Sequence, residues 1–118
     1  MAKVLEITEE HAVGKSPGSV VEKVVEITED CPFVDSEGGR CVLLFTRAPR
    51  GRIVQIYFPY PGEELMGAFI HFFVDSLDLW VNQVEPRDDV FGTQAERIGL
   101  SKKGLRALIE RHAPPANV

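Results

Sequence analysis

Between residues 40 and 58, apolar and β-prone positions gather into two short runs, Arg40–Thr46 and Arg52–Phe58, separated by Arg47-Ala48-Pro49-Arg50-Gly51. Proline followed two residues later by glycine suits a tight turn, with Gly51 able to take a positive φ. Pairing Arg47 with Arg52 sets Phe45 opposite Val54, Leu43 opposite Ile56 and Cys41 opposite Phe58. Those six side chains then share one wholly apolar face, predicted to be the core side. The other face carries Arg40, Val42, Leu44, Thr46, Ile53, Gln55 and Tyr57, and is predicted to be flat, mixed and partly polar.

Helical spacing is the pattern on either side of this hairpin. Val20, Val21, Val24, Val25, Thr28 and Cys31 recur at intervals of three and four, with Glu22, Lys23, Glu26 and Glu29 largely opposite. Ser19 and Glu22 make a capping box, Pro17 suits an early helical position and Pro32 ends the run, which predicts a helix over about 18–31. After Pro59 and Pro61, the polar positions Glu64, Gly67, His71, Asp75, Asp78, Asn82 and Glu85 draw one narrow stripe. Leu65, Met66, Phe69, Ile70, Phe72, Phe73, Leu77, Trp80 and Val81 cover the rest, predicting a long helix over 63–84 buried on more than one side. That apolar excess also predicts a homodimer through the 63–84 helix. A last helix is expected over 101–112, with Ser101 as N-cap and Leu105, Leu108 and Ile109 inward.

The sum is an α+β fold. An antiparallel β-hairpin-based sheet packs against a long buried helix, with N- and C-terminal helices around it. A chain of 118 residues fits one domain, taken as 1–112, with 113–118 as a loose tail. Lys3 to Glu10 and Lys23 to Asp30 read KVLEITEE and KVVEITED, identical at six of eight positions. Lacking the upstream extension, the first copy is predicted to be a short strand, and no third copy supports a solenoid.

Charge changes the picture more than composition does. The chain carries formal charge −5, yet residues 38–62 hold four arginines and no acid, leaving −9 for the rest. Such segregation marks a working surface. Arg40, Arg47, Arg50 and Arg52 would contact phosphates, with Gln55, Tyr57 and Tyr60 beside them for base contact and stacking. The leading expectation is therefore non-enzymatic binding of single-stranded DNA or RNA on this surface. The bland alternative is that the arginines solubilise a turn or pair with the acidic remainder.

A second nucleic-acid reading uses the other end of the chain. Ala95-Glu96-Arg97-Ile98-Gly99-Leu100-Ser101 followed by Leu105 and Leu108 resembles the helix-turn-helix pattern of DNA-binding proteins. The resemblance implies a transcriptional regulator using residues 93–112, with Lys102, Lys103 and Arg106 on the recognition helix. Gln94 stands where that family places an apolar residue, and Gly104 weakens the helix. The remaining class is a homodimeric interaction or regulatory protein acting on other proteins.

Catalytic chemistry finds no foothold in the sequence. Cys31 and Cys41 form no CxxC pattern and have no assignable histidine partner, no GxSxG occurs, and Gly38-Gly39 is too short for a phosphate loop. His71, Asp75 and Asp78 would share a helix face at metal-binding spacing, but a solvated stripe explains them as well. No enzyme, metal or cofactor is expected. The most apolar stretch, Leu65 to Val81, contains His71, Asp75 and Asp78 and is a poor membrane span. The opening MAKVLEITEE meets Glu6 before any apolar run, which argues against a signal peptide, so a cytoplasmic location and free thiols are expected.

Overall fold

Five strands follow one another in chain order across a single antiparallel sheet: β1 (Ala2–Leu5), β2 (Val20–Ile27), β3 (Cys41–Ala48), β4 (Gly51–Tyr57) and β5 (Phe69–Phe73). The computed structural model describes residues 2–12, 17–29, 31–35, 38–57, 59, 69–74 and 102–115. Two four-residue helices, α1 (Glu9–Ala12) and α2 (Pro32–Asp35), lie in the connections, and α3 (Lys102–His112) follows the sheet. Sheet and helix together make the fold α+β.

The hairpin takes the register that its alternation predicts. Arg47 pairs with Arg52, Phe45 with Val54 and Leu43 with Ile56, while Ala48 and Gly51 close the turn. Proline cannot take a positive φ, so the reversal falls to Gly51, at φ 133°. A side chain there would be strained by that backbone angle alone. Phe58, the expected partner of Cys41, lies outside the described residues.

Two expected helices are corrected. Residues 20–27 of the predicted 18–31 helix are strand β2, paired with β1 on one side and β3 on the other. The register shifts between Val21 and Lys23, so Glu22 is the extra residue of a bulge. Val21 and Val24 then pack on one face of the sheet, and Val25 and Ile27 on the other. Neighbouring valines that serve opposite faces produce pairs three and four residues apart without a helix. Within the predicted 63–84 helix, Phe69–Phe73 is strand β5, with Val54 opposite Phe72 and Ile56 opposite Ile70. An apolar run suits an inserted strand as well as a buried helix, and the period alone does not separate them. His71 therefore stands on a strand rather than on a helix face, and Asp75 and Asp78 lie outside the described residues. Residues 63–68 and 75–84 lie outside the described residues, as does the rest of the helix-based dimer surface.

The repeat acquires a physical meaning here. Its copies pair with each other: Lys3 stands opposite Glu26, Val4 opposite Val25 and Leu5 opposite Val24. Carried one residue further, that register sets Glu6 opposite Lys23. Lys-Val-apolar-Glu run antiparallel to itself places opposite charges at each end and apolar residues between, which stabilises cross-strand pairs. The first copy is the short strand that was expected.

Both faces of the central strands are buried. The first face gathers Val25, Ile27, Cys31, Cys41, Leu43, Phe45, Val54, Ile56, Val74 and Ile109 into one core, and α3 reaches it through Ile109 with Leu108 beside it. A smaller cluster of Val24, Val42 and Leu44 occupies the second face, flanked by Leu5, Val21 and Tyr57. The second face was expected to be mixed and open. Instead Thr46, Ile53 and Gln55 are buried there too. Thr46 Oγ1 has no hydrogen-bond partner among the described residues, a cost of about 1–3 kcal/mol.

Candidate nucleic-acid interface

Strand alternation divides the expected basic-aromatic surface in two. Arg47 and Arg52, paired with each other, belong with Phe45 and Val54 on the first face at the turn end. Gln55 and Tyr57 belong to the second face, and Tyr57 pairs with Val42, away from the turn. Arg40 precedes β3 and turns to Glu26, which is opposite Val42. A single strand lying along one face would not meet both groups.

The acidic residues of β2 meet two of the arginines. Arg40 donates from Nη2 to Glu26 Oε1 at 3.0 Å and from Nε to Oε2 at 3.3 Å. Arg47 grips Glu22 in the same two-pronged way, at 3.1 and 3.3 Å. The bulge places Glu22 for this contact. Planar guanidinium groups favour such forked pairs, though solvent exposure of the partners limits each to about 1 kcal/mol or less. Gln55 is buried, and burial pushes the half-buried Tyr57 phenol above its usual pKa. Tyr60 lies outside the described residues. Of the seven expected site residues, Arg50 stands exposed at the turn.

Sequence reasoning missed what the C-terminal helix brings. Lys23 Nζ donates to the carbonyl of His112 at 2.8 Å, and Arg52 Nη1 donates to the carbonyl of Pro114 at 2.8 Å. Ala113 N donates back to Ile109 O at 2.8 Å, continuing the last turn. Cations suit this end of a helix because its final carbonyls lack partners and carry partial negative charge. The His112 carbonyl orients the Lys23 ammonium, and the Pro114 carbonyl orients the Arg52 guanidinium. Arg111 lies exposed in the last turn of the same helix. The basic last turn was visible in the sequence, but no local signal told which strand residues it would meet.

His112 registers this surrounding charge. Burial first, then the charges of Lys23 and Arg111, hold its imidazole below the usual pKa. A depressed histidine contributes stability that is complete above its unfolded value, about 6.5. Below that value the unfolded chain takes up the proton first, so stability falls until pH passes the folded value. Urea midpoints measured from pH 8 to 5 should show this decline, and His112→Gln should flatten it. An unchanged slope in the variant would assign the decline to other groups.

The helix-turn-helix reading has its second helix at α3, while residues 93–101 lie outside the described residues. Arg106 approaches Glu110 at 3.9 Å along α3. Among the described residues no group of histidine, cysteine or acidic side chains is arranged to hold a metal ion. No described helix is long and apolar enough to cross a membrane. Comparisons with family models, curated proteins and solved structures found no significant match.

Proposed function

We propose that this chain binds nucleic acid without catalysing a reaction on it, through phosphate contacts at the turn end of the sheet. The observation that carries the reading is that Lys23 reaches the His112 carbonyl at the end of α3 and Arg52 the Pro114 carbonyl just beyond it, with Arg111 in the last turn and Arg50 on the hairpin. Together these four cations would give an otherwise acidic chain a surface attractive to phosphates. Tyr57 and Gln55 lie on the other face, so base stacking contributes little and sequence preference is weak. The site thus shifts from Arg40, Gln55 and Tyr57 toward Lys23 and Arg111.

Fluorescence anisotropy with a labelled oligonucleotide tests this. Log affinity should fall with log salt at a slope of up to about −3, as expected for four phosphate contacts on a single strand. Arg50→Glu with Arg111→Glu, both exposed positions, should weaken binding tenfold or more while leaving the melting temperature nearly unchanged. No binding at low salt would end this reading.

A second reading, protein–protein interaction, draws on the opposite edge of the sheet. Among the described residues β1 pairs with β2 alone, and Val4 is 67% exposed on it. An open edge with an exposed apolar residue favours strand addition by another copy of the chain. Indifference to the oligonucleotide, together with self-association in light scattering that Val4→Lys abolishes, would favour this reading instead.

A further inference from the structure

Cys31 lies in the connection from β2 to β3 and Cys41 begins β3, and both are wholly buried in the first-face core. Both thiols belong to one core cluster, and Cys31 is the neighbour that most influences the Cys41 thiol. Neither is in a disulfide. Cys41 opens β3, where it pairs with Ile27. Cys31 sits before the single turn of α2, its carbonyl accepting from the N–H groups of Val34 and Asp35, each at 2.9 Å. Cysteine packs well as a small apolar residue, which accounts for burial. Burial does not require two thiols to meet.

We propose that Cys31 and Cys41 are an intramolecular disulfide site, closed when the protein meets a small-molecule disulfide such as oxidised glutathione. The neighbouring Cys31, and then burial, push the Cys41 thiol well above its usual pKa, so the closed pair is protonated and slow to react. Reaction begins when the short α2 turn opens and exposes Cys31. Its thiolate attacks one sulfur of oxidised glutathione, forming a mixed disulfide and releasing one glutathione thiolate, which takes up a proton. As α2 closes, Cys41 loses its proton and attacks the Cys31 sulfur, releasing the second glutathione. Two protein thiols are oxidised by two electrons, and one glutathione disulfide is reduced to two thiols. The new bond closes a short loop and restricts the unfolded chain.

Incubating the full chain with oxidised glutathione under native conditions tests the site. Intact mass should fall by two hydrogens, and non-reducing proteolysis should yield one linked peptide containing Cys31 and Cys41. The melting temperature should rise by about 5 °C or more and return on addition of dithiothreitol. Cys31→Ala, a small replacement in the same core, should show neither the mass loss nor the rise. Stable glutathione adducts on either thiol, crosslinked dimers, or thiols that react only after denaturation would each overturn the proposal.

Discussion

Phe45→Ala is expected to remove about 3–5 kcal/mol of stability, as deletion of a large buried aromatic side chain does. Phe45 is 2% exposed and lies in the first-face core with Leu43, Val54 and Ile56, opposite Val54 on β4 and Lys23 on β2. Strands hold it from both sides, so the backbone has little room to collapse into the cavity. A domain of this size has roughly 5–15 kcal/mol in hand, and the loss is therefore a large share. Urea unfolding monitored by circular dichroism should show the midpoint falling steeply. Val4→Ala, at an exposed position on β1, should stay within about 0.5 kcal/mol of the parent. A cost below about 1 kcal/mol for Phe45→Ala would mean that the hairpin does not present this face to the core.

The same hairpin was the most legible part of the sequence, for a local reason. Pro49 and Gly51 fix the turn, the turn fixes the register, and the register alone decides which side chains share a face. The last helix was legible too: the predicted 101–112 segment forms α3, with Ile109 inward. β2 was not legible, because a bulge and burial on both faces erased the two-residue alternation that usually marks a strand. Its β-branched composition was the better signal, since four valines in eight residues favour a pleated surface over a helix. For β5 the run Phe-Ile-His-Phe-Phe carries no period at all. Charge segregation pointed to Arg40, Arg47, Arg50 and Arg52 alike, but tertiary pairing decided that Glu22 and Glu26 would engage Arg47 and Arg40, and that Lys23 would meet α3.

Ile109→Ala is expected to cost about 2–4 kcal/mol and, at the same time, to dismantle the proposed binding surface. Ile109 is wholly buried and, among the described residues, ties α3 into the main core, with Leu108 and Ala113 packed at its margin. Two polar ties complete the docking, Lys23 to His112 and Arg52 to Pro114, and each is worth about 1 kcal/mol only while the helix stays in place. Weakened docking would release these cations and displace Arg111 with the helix. Oligonucleotide affinity should therefore fall by a factor similar to that of the Arg50→Glu, Arg111→Glu pair, although Ile109 bears no charge and faces the core. Hydrogen exchange separates this local effect from general destabilisation: amides of α3 should lose protection well before those of β3 and β4. Full affinity retained in Ile109→Ala, with α3 shown to be exchanging freely, would place the phosphate contacts on the hairpin alone. Loss of protection spread evenly over the sheet would instead make α3 part of one cooperative unit with the strands, and the fall in affinity would then follow unfolding rather than the geometry of the cluster.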